Sequence, residues 1–158
     1  MTDYDVAEMM VQTEAVEETR DFARRLGKLL TAGDFVALIG QLGAGKTTFV
    51  QGISEALEVD GAVTSPTFVL MRLHRGAPAL CHVDAYRLEG ATDLTDIGLE
   101  DWLKEAVVAL EWADTVPAAL PNERFEVLLE YTETGRSIRL SGMGRRPAEI
   151  VERMAEEQ

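Results

Sequence analysis

Gly40-x4-Gly45-Lys46-Thr47 sets glycines, a lysine and a hydroxyl at the spacing with which a backbone loop grips phosphate. Gly40, Gly43 and Gly45 open turns that a Cβ would close and let the main chain approach an anion. The loop's N–H groups then point inward at the anion. A helix starting at the lysine adds about half a positive charge at its N-terminus. In that geometry Lys46 neutralises the outer phosphates. Thr47 offers a hydroxyl to Mg2+, a hard ion that keeps phosphate oxygens and water as partners. Thr48 either reaches a phosphate or packs at the helix start. A glycine-rich turn with an unrelated lysine is the plainer alternative; the apolar "FVALI" before the motif and the helical "TTFVQGI" after it favour the cradle.

A cradle fixes binding and leaves the chemistry open. In open α/β sheets ligands lie beyond the carboxyl ends of the strands, so acids that end apolar runs are the next candidates. "ALCHVD" ends at Asp84 and "AVVALE" at Glu111. Holding the metal, directly or through water, is the favoured role for both; a strand-end carboxylate that caps a loop or pairs with Arg87 is the alternative. His82 shares a strand face with Asp84 and reads as a supporting or packed histidine rather than a ligand. Trp112 either covers the site or packs. "VTSPTF", 63–68, is a polar extended segment that could sense the third phosphate or be an ordinary turn.

These residues need elements to carry them. "TEAVEETRDFARRLGKLLTAGD" has helical spacing, with Thr13 expected as N-cap and Gly33 as stop. "FVALIG" and "AVVALEW" read as buried strands. "PTFVLMRLHRG" and "PALCHVD" read as successive strands. "ATDLTDIGLEDWLKE" suggests one or two short helices. "FEVLLEYTETGRSIRLSG" suggests a hairpin turning near Glu133–Gly135, and "RPAEIVERMAEE" a last helix with Pro147 in its first turn. Alternation followed by a meander predicts an α/β sheet of mixed strand direction. The 158 residues fit one domain, 1–158, with 1–11 expected as a loose tail.

Fifteen basic and 28 acidic residues leave a net charge of −13. Nucleic acids attract basic surfaces, so no direct strong nucleic-acid binding is expected, although Arg72, His74 and Arg75 or Arg145 and Arg146 could form local basic patches. No apolar run reaches the ~20 residues of a bilayer span, the first residues are acidic where a targeting peptide would be basic, and Cys81 is the only cysteine. A cytoplasmic location is the expectation. The only asparagine, Asn122, lies in "PNERF", so the guanine-reading Asn-Lys-x-Asp motif is missing and adenine is the expected base. "LSGMG" at 140–144 is similar to a transporter-ATPase signature, but it ends a hairpin and reads as coincidence. A small-molecule kinase stays open as the second reading, although no long insertion supplies an arginine-bearing lid.

"GQLGAGKTTFVQG", "TSPTF", "HVDAYRL", "DIGLEDWL" and "LEWAD" occur in this order. Together they resemble the TsaE (YjeE) family, the bacterial ATPases needed for threonylcarbamoyladenosine in tRNA. The resemblance runs from about Thr13 to the final hairpin. It implies a P-loop, three-layer α/β sandwich, with parallel central strands flanked by antiparallel ones. It further implies ATP and Mg2+ as ligands, slow hydrolysis, and a TsaB–TsaD heterodimer as partner, in which TsaD transfers the threonylcarbamoyl group. Thr47, Asp84 and Glu111 fall on the family's metal positions, Leu42–Thr47 on its phosphate-binding stretch, and Thr64–Phe68 on its switch-like loop. Nucleotide contacts are implied near Val16–Thr19 and at Gly135 and Arg136. Gln41 stands where an acid is common, and the acidic leader is longer than the fold needs.

Overall fold

Apolar runs without charge are satisfied only by burial on both faces. "FVALIG" achieves this as β2 (Phe35–Gly40), "LCHVD" as β4 (Leu80–Asp84) and "VVALE" as β5 (Val107–Glu111). The computed structural model describes residues 5–64, 70–86, 94 and 98–158. Around the three central strands stand β1 (Val6–Thr13), α1 (Val16–Gly27), α2 (Lys46–Ala56), β3 (Met71–His74), β6 (Arg124–Tyr131), β7 (Arg136–Met143) and α3 (Arg145–Glu156).

Among the described residues the strands form one seven-stranded sheet, ordered β1-β7-β6-β2-β5-β4-β3. Pairings β6–β2, β2–β5 and β5–β4 are parallel. The outer pairings β1–β7, β7–β6 and β4–β3 are antiparallel. The mixed sheet and its parallel centre are therefore as expected. Alternate residues of each strand serve opposite layers. Val36 and Leu38 join Phe22, Phe49, Ile53 and Val151 under the helices, while Phe35 and Ala37 join Leu94, Leu99 and Val116 on the other face. The opposite layer holds short 3-10 turns at Leu99–Trp102, Ala113–Thr115 and Pro117–Ala119.

The structure corrects several expectations. Residues 6–13 are not a loose tail: β1 pairs along its length with β7, from Val6↔Met143 to Thr13↔Arg136. Ala7, Met9, Val11 and Thr13 turn inward while the residues between them face out. Thr13 does not cap α1, whose N-cap is Ala15; its hydroxyl instead meets that of Thr19 at 2.8 Å. The helix stops at Gly27, not Gly33, where the N–H groups of Leu29 and Leu30 turn to the carbonyls of Leu26 and Gly27 three residues back; Gly27 itself lies against α2, where a Cβ would come 2.7 Å from the Cβ of Ala56. Leu30 stays buried beyond the helix end, which extends the apolar pattern past the helix itself. In the two basic stretches Arg72, Arg75 and Arg145 are exposed, while the other members are taken up. His74 is buried, and Arg146 is held by Asp34 through Nε at 2.9 Å and Nη2 at 2.8 Å. Residues 65–68 of the expected switch segment, Arg87, Leu88, and Asp96 and Ile97 lie outside the described residues.

Candidate functional site

The turn from β2 into α2 is shaped by its glycines. Gly43 (φ 78°) and Gly45 (φ 113°) occupy left-handed backbone that side chains resist. At Gly40 a Cβ would stand 2.7 Å from the Leu129 carbonyl oxygen. Lys46 opens α2 and is buried. Its Nζ arches back and donates to the carbonyls of Gly40 at 2.5 Å and Gln41 at 2.9 Å. The same ammonium sits 3.9 Å from the Trp112 ring centroid, and Trp112 in turn packs on Tyr86 at 4.8 Å. Trp112 thus lies against the lysine and also packs on the second apolar cluster. Burial lowers the Lys46 pKa below the ordinary lysine value, while the charges of Glu111, Asp114 and Asp84 pull it back up.

Thr47, one residue further, donates its hydroxyl to Glu111 Oε1 at 3.0 Å and lies 3.1 Å from Oε2. Glu111 ends β5 almost wholly buried, and its Oε2 meets His82 Nε2 at 2.5 Å. Asp84 ends β4 as the register partner of Glu111, and its Oδ1 accepts the Tyr86 N–H at 2.9 Å. Leu80, His82 and Asp84 alternate toward the α2 side with Val107, Ala109 and Glu111, so the sheet brings both acids to the start of α2. The sequence-predicted quartet Lys46, Thr47, Asp84 and Glu111 therefore gathers at one place, and His82 supports it from behind.

A second space of ≈ 400 Å³ opens on the other side of the loop. Its walls are Gly43–Gly45 and Thr48, the start of α1 from Val16 to Thr19, and the β6–β7 turn with Gly135 and Arg136. Thr48 faces this cavity. Gly135 is required by close approach, since a Cβ there would lie 1.9 Å from the Thr13 carbonyl oxygen. Sequence reasoning missed Tyr131 and Asp114. Tyr131 donates its hydroxyl to the Leu42 carbonyl at 2.7 Å across 89 residues, and no local pattern signals such a contact.

The donor set suits a hard divalent cation: a hydroxyl touching one carboxylate, with a second carboxylate in register beside it. Among the described residues no three His, Cys, Asp or Glu side chains form a metal cluster.

A strand, a left-handed glycine loop and a helix, with acids at the neighbouring strand ends of a parallel centre, define the class of P-loop α/β proteins. The chain matches the family model "Threonylcarbamoyl adenosine biosynthesis protein TsaE" over residues 13–138. The tRNA threonylcarbamoyladenosine biosynthesis protein TsaE of Streptomyces coelicolor is 43% identical over 136 residues, covering 80% of this chain and 92% of that protein. The Bacillus subtilis protein of the same description is 33% identical over 142 residues, 88% of this chain and 89% of that one. The crystal structure of Bacillus subtilis YdiB superposes with a TM-score of 0.83 at 28% identity, covering 96% of this chain and 97% of that one. The chain belongs to the TsaE family, and its place is in the biosynthesis of tRNA threonylcarbamoyladenosine. No helix among the described residues is long and apolar enough to cross a membrane.

Proposed function

We propose that this chain binds ATP with Mg2+, hydrolyses it slowly, and acts on a TsaB–TsaD heterodimer through its nucleotide state. The observation that carries this reading is the Thr47–Glu111 contact at the mouth of the glycine loop, with Asp84 in register beside it. The loop N–H groups and the α2 N-terminus bind the phosphates, and Lys46 exchanges the Gly40 and Gln41 carbonyls for outer phosphate oxygens. Thr47, Asp84 and Glu111 would hold Mg2+; bound there, it would neutralise charge on the phosphate oxygens during transfer to water. His82 keeps the Glu111 carboxylate facing Thr47. The cavity between Thr48, Val16–Thr19 and Gly135–Arg136 has room for the nucleoside.

The net charge of −13 favours a protein partner over direct contact with tRNA. A nucleotide-driven change in partner affinity of about 3 kcal/mol, roughly a hundredfold, is enough to assemble or reset the complex. The test is ATP turnover by the full chain with and without a TsaB–TsaD pair, together with partner affinity in ATP analogue, in ADP and without nucleotide. Slow turnover that changes with the partners, and affinities that differ, are expected. Equal affinities in all three states overturn the switch, and ADP release that depends on a small-molecule acceptor would establish a kinase instead.

A further inference from the structure

Tyr131 ends β6, Arg136 begins β7, and the two are register partners across the hairpin. The Arg136 guanidinium stacks 4.2 Å from the Tyr131 ring centroid. From this stacked pair three bonds run to consecutive carbonyls of the glycine loop. Tyr131 Oη donates to Leu42 O at 2.7 Å, Arg136 Nη2 to Gly43 O at 3.3 Å and Arg136 Nε to Ala44 O at 3.2 Å. In a planar trans peptide the carbonyl and the following N–H point opposite ways. Anchoring the Leu42 and Ala44 carbonyls on the hairpin therefore turns the Gly43 and Gly45 N–H groups away from it. The Ala44 N–H closes the turn on Gln41 O at 3.0 Å. Gly43 fits this arrangement, since a Cβ there would meet Tyr131 Oη at 2.7 Å.

Inside the loop Lys46 ties the Gly40 and Gln41 carbonyls and the Ala44 N–H ties Gln41, which leaves the Leu42, Gly43 and Ala44 carbonyls to the hairpin. Gly43 has no side chain, Leu42 is apolar and 78% exposed, and glycine-rich backbone loses more freedom than any other when it is ordered. Tyr131 is itself 48% exposed, so the pair does not serve the core.

We propose that Tyr131 and Arg136 are positioning residues that hold the glycine loop in its anion-binding shape before a nucleotide arrives, so that binding does not have to order it. Their effect on affinity rests on the nucleotide reading above; their effect on the loop does not. Tyr131→Phe removes one bond and keeps the stacked ring. Arg136→Met removes both bonds to the loop, the Nη1 bond to the Gly135 carbonyl and the charge, and Arg136→Lys keeps the charge without the fork.

Two measurements on the full-length chain test this. The first is amide hydrogen exchange of the 41–47 stretch without nucleotide; the second is calorimetric titration with ADP and with MgATP. Faster exchange confined to 41–47 is expected in all three variants, at an unchanged melting temperature. Nucleotide affinity is expected to fall roughly fivefold in Tyr131→Phe and at least about tenfold in both Arg136 variants. Wild-type exchange in Tyr131→Phe and Arg136→Met overturns the proposal. So does weakened binding without faster exchange, or full affinity in Arg136→Lys, because each assigns the pair to direct contact or bulk charge. If the wild-type chain binds neither ADP nor MgATP, the nucleotide reading falls and the exchange comparison alone decides the positioning role.

Discussion

Glu111 is the side chain on which the site converges, since one carboxylate accepts from Thr47 and is gripped by His82. Removing His82 leaves a buried acid short of a partner, which costs about 1–3 kcal/mol. His82→Leu is therefore expected to lower the urea midpoint and slow ATP turnover together. His82→Gln, whose amide can stand near the position of Nε2, should restore most of both. Lys46→Ala is expected to abolish turnover, measured as phosphate release under saturating MgATP. Asp84→Ala should abolish Mg2+-dependent turnover while leaving the circular dichroism melt unchanged. Steady phosphate release from purified Asp84→Ala would remove Asp84 from the metal site. These residues were legible in the sequence because glycine spacing and strand-ending acids are local signals. Tyr131 was not, because its partner Leu42 lies 89 positions away.

The helices meet where side chains are smallest. At Gly52 on α2 a Cβ would lie 2.4 Å from the Arg20 carbonyl oxygen and 2.6 Å from the Ala23 Cβ, both on α1. Gly52→Val forces these helices apart. It is expected to destabilise the fold by about 1–3 kcal/mol, read from urea denaturation at unchanged m-value. The apolar spacing suggested a later stop than Gly27 because Leu30 stays buried in the turn that follows the helix. The central strands were legible because burial on both faces leaves unbroken apolar runs. β1 was not, because an edge strand with Glu8 and Gln12 facing outward looks like a polar leader; its inward set of Ala7, Met9, Val11 and Thr13 only makes sense once β7 stands beside it. The hairpin turn was placed correctly from its turn residues; its closeness to the glycine loop was given only by the family resemblance, since pairing across the sheet and no local pattern brings it there.

At the scale of the whole molecule, burial pushes the Cys81 thiol up from 9.0 to about 12. The folded state keeps its proton between those values and the unfolded state releases it, so stability falls as pH rises above 9. Cys81→Ala is expected to flatten that alkaline loss in urea titrations from pH 8 to 11, and the native thiol should resist Ellman's reagent until the chain unfolds. His74 has the opposite dependence. Burial, then the nearby His82 and Arg72, lower its pKa below 6.5, so the unfolded state takes up a proton first and stability drops as pH falls through that value. The pairing of β1 with β7 has a consequence for how the protein is made. The walls of the ≈ 400 Å³ cavity come from segments far apart in sequence, Thr13–Val16 with Thr19 and Thr132–Arg136, with the glycine loop between. During synthesis the loop leaves the ribosome long before the hairpin that completes its surroundings. A nascent chain stopped short of Arg136 therefore carries the whole glycine motif and half a pocket, and its first strand waits without its β7 neighbour until residues 136–143 have been made.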